Sequence, residues 1–276
     1  MKLYAISDVH VAQPTNRRGF DQLGERPDDW LVLAGDLAET FADIAAVFAT
    51  ATARFAKVFW VPGNHELWSL PSGSARGVAR YEQLVDLCRE AGVVSPEDPY
   101  VRWPGEGRPC VIAPLFLLYD YSFRPAAVPT DEAALEWALE DGLLCTDEAL
   151  LHADPHPSKS AWCRARCDLT EARLAAVDPA DETVLINHFP LRYDLAATPA
   201  IPRFSIWCGT KRTEDWHRRF RARVVVSGHL HIRQTAWRDG VRFEEVSLGY
   251  PRQWRAETGV DAYLREILPG PASPRR

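Results

Sequence analysis

Lysine is almost missing from this chain: among 276 residues only Lys2, Lys57, Lys159 and Lys211 carry an ammonium group, so nearly all of the 32 basic side chains are arginine. Arginine grips phosphate in a bidentate fashion, but an excess this general reads as a codon bias. The 38 acidic residues leave a formal net charge of −6, the opposite of the basic surface with which proteins neutralise nucleic acid. Nucleic acid is therefore not the expected partner. Nor does any apolar stretch approach the ~20 residues of a membrane-spanning helix. Met1-Lys2 runs straight into an apolar segment without a charged n-region, apolar h-region or cleavage site, so a cytoplasmic protein is expected. No CxxC spacing occurs among Cys88, Cys110, Cys145, Cys163, Cys167 and Cys208, which excludes the usual thiolate zinc signatures and argues for reduced, mostly buried thiols. Cys163 and Cys167 stand four apart and should share one helix face.

What is present is a globular composition, 46% hydrophobic with ten tryptophans. No long polar linker divides the chain, and residues 1–268 read as a single domain with an insertion at about 67–180, followed by a disordered Pro/Gly/Ser-rich tail over 269–276. Strand and helix alternate in the first quarter: Lys2 to Ile6, Leu31 to Ala34, a helix from Phe41 to Arg54, then Lys57 to Val61. This alternation predicts an α/β sheet with helices on its faces. Further helices are expected over Val78 to Ala91 and from Ser158, as N-cap, to about Val177. Gln234 to Trp237 and Val241 to Val246 flank Arg238-Asp239-Gly240, whose Asp-Gly pair is a hairpin signal, so the fold should not be purely parallel.

Five short polar motifs follow β-branched, apolar runs: Asp8-Val9-His10, Gly35-Asp36, Gly63-Asn64-His65-Glu66, Asn187-His188 and Gly228-His229-Leu230-His231. Strand ends of α/β sheets are where ligands bind. Singly the motifs are weak, since Gly-Asp is commonly a turn, Asn64 would serve equally as a helix cap, and a lone His188 is commonly a packed histidine. Together they hold five of the eight histidines. In an extended strand end, residues i and i+2 point the same way, so Asp8 with His10, and His229 with His231, should converge in pairs. Oxygen and imidazole donors without thiolate suit manganese, iron or zinc better than magnesium or calcium.

In this order and spacing, the motifs resemble the calcineurin-like metallophosphoesterase superfamily over residues 8 to 231. The resemblance implies an α/β, two-sheet sandwich flanked by helices, here with a large helical insertion, and two divalent metal ions at the strand ends, manganese and iron before zinc. Carried over by motif, Asp8, His10, Asp36 and His231 would bind one metal, and Asp36, Asn64, His188 and His229 the other. Asp36 would bridge them. Metals so placed activate water and clamp phosphate oxygens, while His65, a non-ligand, would protonate the leaving oxygen or orient its neighbours. Glu66 stands where the family often has Asp, and Asn187 is not the usual residue before the solitary His; neither departure removes a ligand.

Several longer stretches, among them Trp60 to Trp68, Ala113 to Tyr121, Asn187 to Leu191, Trp207 to Thr210 and Phe243 to Ser247, are similar to a narrower bacterial group, the phosphopantetheinyl hydrolases. That similarity implies a phosphate-ester substrate in the form of a holo acyl or peptidyl carrier protein, from which 4′-phosphopantetheine is removed. Trp68, Tyr119, Tyr121, Arg124, Arg192 and Trp207 are the candidate substrate-binding residues, each of which would serve equally as core aromatic or solvated arginine. The densest basic run, Trp216 to Arg223, is either a solvated helix face or a patch that steers an acidic partner. A phosphomonoesterase or phosphodiesterase of a small metabolite or nucleotide remains the alternative, and a non-catalytic scaffold would be expected to have lost ligands that are all present here.

Overall fold

A computed structural model describes residues 1–70 and 75–271; the tail expected from 269 onward is described as far as Pro271, and the rest of it lies outside the described residues. The chain runs β1 (Leu3–Ile6), α1 (Pro14–Asp21), β2 (Arg26–Leu33), α2 (Phe41–Arg54), β3 (Phe55–Trp60), α3 (Asn64–Leu67), α4 (Gly77–Ala91), β4 (Val101–Arg102), β5 (Cys110–Pro114), α5 (Asp131–Leu139), α6 (Asp147–Leu150) and α7 (Lys159–Ala175). It continues through β6 (Glu182–Ile186), α8 (Tyr193–Ala196), α9 (Trp216–Arg219), β7 (Ala222–Ser227), β8 (Thr235–Arg238), β9 (Val241–Glu245) and β10 (Arg265–Leu268).

Two sheets result. One has the order β10-β1-β2-β3, and the other β4-β5-β6-β7-β9-β8. Strands β1 to β3 are parallel, as are β5, β6, β7 and β9, while β4, β8 and β10 add antiparallel edges. The period-two alternation explains why the runs look uniformly apolar. Leu3, Ala5, Trp30, Val32, Phe59 and Val61 face Ile112, Val184, Ile186, Val224 and Val226 across the space between the sheets. The intervening Ile6, Leu31, Leu33, Val58, Trp60, Leu185 and Val225 instead pack outward under the helices. Both faces of each central strand are therefore buried, which is the parallel-sheet signature.

The helices obey local rules. Thr40 caps α2 by accepting from the Asp43 amide, and Ile44, Val47, Phe48 and Ala51 form the buried stripe that lies on the sheet. Ser158 caps α7 through the Ala161 amide, and Cys163 and Cys167 lie buried on its inner face. The Asp-Gly signal is realised: Arg238 pairs with Val241, and Asp239 and Gly240 have φ of 52° and 77°, the left-handed pair of a two-residue hairpin. The stretch over 67–180 is not purely helical. Its strand β5 pairs in parallel with β6 inside the second sheet, because Cys110 to Pro114 is an apolar run with both faces buried. No helix among the described residues is long and apolar enough to cross a membrane.

Candidate metal centre

The motifs converge beyond the C-terminal ends of β1, β2 and β3 in one sheet and of β6 and β7 in the other, so the site straddles both sheets. A bridge between Ser7 and Ser247 joins the two edges there. The backbone departs from the extended form that the i, i+2 argument assumes: Asp8, His10, Asp36, His229 and His231 have φ of 52°, 44°, 54°, 74° and 54°. Such left-handed conformations cost side-chain-bearing residues about 1–2 kcal/mol each. They turn the side chains inward. At Gly63 a Cβ would overlap the Asp36 carboxylate, and at Gly228 it would overlap Ser7 and Asp8, so only glycine lets these turns meet.

Two triads of donor atoms come together, Asp8 with His10 and His231, and Asp36 with His188 and His229, each with its atoms within 4.8 Å of one another; a third grouping joins His10, Asp36 and His65. Four of these six donors, Asp8, Asp36, His188 and His231, are aimed by outer contacts. Asp8 Oδ2 accepts from Ser7 Oγ (2.6 Å), Ser247 Oγ (2.7 Å) and the His229 amide (3.0 Å), leaving Oδ1 facing His231 Nε2 at 2.9 Å. Asp36 Oδ1 accepts from the His65 amide at 3.0 Å, while Oδ2 lies 3.5 Å from His188 Nε2. His188 Nδ1 donates to the Ala34 carbonyl (2.9 Å) and His231 Nδ1 to Gln253 Oε1 (2.8 Å), which turns both Nε2 atoms inward.

These residues fit a pair of divalent cations. His188 Nε2, His229 Nε2 and Asn64 Oδ1 are buried and find no hydrogen-bond partner among the described residues. A buried polar atom left unpaired costs roughly 1–3 kcal/mol, and three such atoms belong to this centre. The donors are carboxylate, imidazole and amide, with no thiolate among them.

Protonation states of the metal-free centre show the same demand for positive charge. Burial would raise the Asp36 pKa, but the neighbouring His188 and His65 hold it well below the usual carboxylate range. Burial opposes the charge of His188 and His231, yet Asp36 lifts His188 to about 10 and Asp8 lifts His231 to about 9. His10 and His229 follow burial and fall to about 4 and about 3. Two imidazolium groups thus stand where cations are wanted.

The two departures from the motif pattern have structural roles. Glu66 is fully buried; its Oε2 accepts from the amides of Asp36 and Gly63 (both 2.9 Å) and its Oε1 from that of Leu37 (2.8 Å), so it locks the turn after β2 to the turn after β3. Burial, with Asp36 nearby, pushes its pKa up to about 7 despite those donors. Asn187 accepts from the Leu117 amide and donates to the Phe189 carbonyl, tying the exit of β6 to that of β5.

His65, grouped with His10 and Asp36, has further partners of its own. Its Nδ1 lies 2.7 Å from Glu39 Oε1 and its Nε2 3.8 Å from Asp36 Oδ2, and the Trp68 ring packs against it at 3.7 Å. Burial lowers its pKa, but Asp36 and Glu39 outweigh burial and raise it. Tyr250 stacks on His10 at 4.6 Å. A cleft of about 370 Å³ opens from this centre, with Trp68, Asp147, Phe204, Tyr250 and Arg252 in its walls and the exposed Leu144 beside it.

Of the six candidate substrate-binding residues, Trp68 lines this cleft. Tyr119 and Trp207 are buried, and Tyr121 and the Trp207 indole both donate to Glu148 Oε1. Arg124 is held by Asp131 and by the Tyr121, Val128 and Pro129 carbonyls, and Arg192 by Asp194 and the Glu214 carbonyl. In the basic run, Arg219 pairs with Glu171, and Arg221 donates to the Val177, Asp178 and Asp181 carbonyls. The sequence reading omitted Glu39, Asp147, Tyr250, Arg252 and Gln253. Glu39 had a signal, standing three residues after Asp36; the others reach the site only through folding.

The model of the family described as calcineurin-like phosphoesterase matches residues 1–233. Over 272 residues the chain is 47% identical to the acyl-carrier-protein phosphodiesterase PptH of Mycobacterium tuberculosis, covering 98% of this chain and 84% of that protein. The crystal structure of phosphopantetheinyl hydrolase (PptH) from Mycobacterium tuberculosis matches with a TM-score of 0.93 at 46% identity, covering 99% of this chain and 98% of that one. Its two sheets, its converging strand-end motifs and these likenesses lead to one conclusion: the chain belongs to the calcineurin-like phosphoesterase family and is a metal-dependent phosphoric ester hydrolase.

Proposed function

We propose that this protein removes 4′-phosphopantetheine from holo acyl or peptidyl carrier proteins. The observation that carries this reading is the 47% identity to the acyl-carrier-protein phosphodiesterase of Mycobacterium tuberculosis along 98% of the chain, far past the residues matched by the family model. A cleft leading to the centre, walled by Trp68, Phe204 and Tyr250, suits a thin polar arm with a phosphate at its end. The six free cysteines accord with a cytoplasmic setting, where carrier proteins would be met.

Asp8, His10, Asp36 and His231 would hold one divalent ion and Asp36, Asn64, His188 and His229 the other, with manganese and iron favoured by the nitrogen and oxygen donors and zinc next. Such a pair, when bound, supplies an activated water and neutralises the phosphoryl oxygens. The chain's own residues do the rest. His65, raised in pKa and oriented by Glu39, holds a proton at Nε2 for the oxygen that departs from phosphorus. Trp68 packs on His65 and Tyr250 on His10 in the cleft walls, and Arg252 offers a cation there.

The test is mass spectrometry of a holo carrier protein incubated with enzyme loaded with manganese and iron. Conversion to the apo form is expected, and His65→Ala should abolish most of it while retaining metal. Persistence of the holo form, alongside rapid cleavage of a generic phosphomonoester, would overturn the substrate assignment in favour of a small-molecule phosphoesterase.

A further inference from the structure

One carboxylate outside the motifs reaches the centre from the stretch between His65 and His188. Asp147, the first residue of α6, is fully buried, and its Oδ1 accepts from Asn64 Nδ2 at 3.0 Å and from Trp68 Nε1 at 2.6 Å. The segment that carries it is sewn to the chain beyond α3: the Ser69 amide donates to the Leu150 carbonyl at 2.8 Å, and Trp68 and Leu151 form an antiparallel bridge.

We infer that Asp147 is a positioning residue which fixes the amide of Asn64 so that its oxygen, and not its nitrogen, faces the metal centre. An asparagine amide has nearly the same shape in either orientation, but only its oxygen can ligate a cation. Shape alone cannot choose between the two. Asp147 Oδ1 can, because Trp68 Nε1 already donates to it and keeps it an acceptor; it pairs with the NH2 of Asn64 and repels the flipped oxygen. With its nitrogen so held, Asn64 Oδ1 is left buried and without a partner among the described residues, in a side chain that lines the cleft beside Asp36 and His229. Trp68, donating to the same oxygen, brings its ring against His65, so one buried carboxylate anchors both an expected ligand and the shelf of the expected acid.

This inference rests on the dinuclear reading of the site and on Asn64 as a ligand, and the experiment separates the two. Metal-free protein is titrated with Mn2+ by calorimetry for the wild type, N64A, D147A and D147N. Wild type should bind two ions, and N64A should lose the second. D147A, which leaves the Asn64 amide free to turn, should bind the first ion normally and the second about 10–100-fold more weakly, the usual effect of removing an orienting partner. D147N keeps an oxygen, held toward Trp68 Nε1, that still accepts from Asn64, so second-ion binding should return toward the wild-type value. A residue needed only for folding would weaken both ions in D147A. Wild-type affinity for the second ion in D147A, equal weakening of both ions, or no recovery in D147N would overturn the positioning role. Retention of both ions by N64A would instead remove Asn64 from the ligand set, and the positioning role with it.

Discussion

At the scale of single residues, the centre is built by placing charged side chains on backbone that disfavours them. Asp8, His10, Asp36, His229 and His231 all sit at positive φ, and the strain is sustained because glycines 63 and 228 and the carboxylate of Glu66 leave the turns no other packing. Glu39 illustrates how such a site tunes an acid. Asp36 and Glu39 raise the His65 pKa, so Glu39→Gln should lower it, and the alkaline limb of the kcat profile, where His65 loses its proton, should move to lower pH. The expected loss in kcat is about 10–100-fold, less than the 10²–10⁴-fold of losing general acid catalysis altogether; a pH profile of unchanged position would remove Glu39 from this role. Metal uptake should depend on pH as well. His188, with a pKa of about 10, and His231, of about 9, are protonated near neutrality in the metal-free centre and must lose those protons to bind a cation. Apparent affinity should therefore rise with pH from 7 toward 9, with protons released on binding, which calorimetry in buffers of differing ionisation enthalpy measures.

Secondary elements divide into those that reveal themselves locally and those that do not. Helix α2 announces itself through Thr40 as its cap and an apolar stripe, and the hairpin between β8 and β9 through Asp239-Gly240. A Cβ at Gly240 would meet nothing within 4 Å, so Gly240→Ala tests the left-handed conformation alone. It should destabilise by about 1 kcal/mol, read from chemical denaturation, and leave hydrolysis unchanged. By contrast β5 is a short apolar run inside a stretch that reads as helical insertion, and only its pairing with β6 makes it a strand. Helix α6 has just four residues and no periodicity to detect, yet it delivers Asp147.

Over the whole molecule, the two sheets meet at one edge, and the chain returns to that edge after the motifs are complete. The segment after β9 brings Ser247 to Asp8, Tyr250 to His10 and Gln253 to His231, although it lies past residue 233, where the family match ends. Because the donors come from both sheets, bound metal should act as a clasp between them. Chelation should lower the melting temperature, and re-addition of metal at about 100 times its Kd should restore about 2.7 kcal/mol for each site, measurable by calorimetry. Equal stability with and without metal would show that the centre does not hold the sheets together.

Strands that carry the motifs, the main helices, the hairpin and the candidate donors are legible in the order of residues, because these depend on period, on caps and turns, and on residue chemistry that neighbours cannot change. Which atoms of those candidates point inward is set by the folded chain, since it depends on Ala34, Gln253 and Asp147, remote in sequence from the side chains they hold. Folding likewise puts Trp68 on the cleft wall and buries Tyr119 and Trp207. An aromatic side chain reads the same in either place; only packing distinguishes a wall from a core.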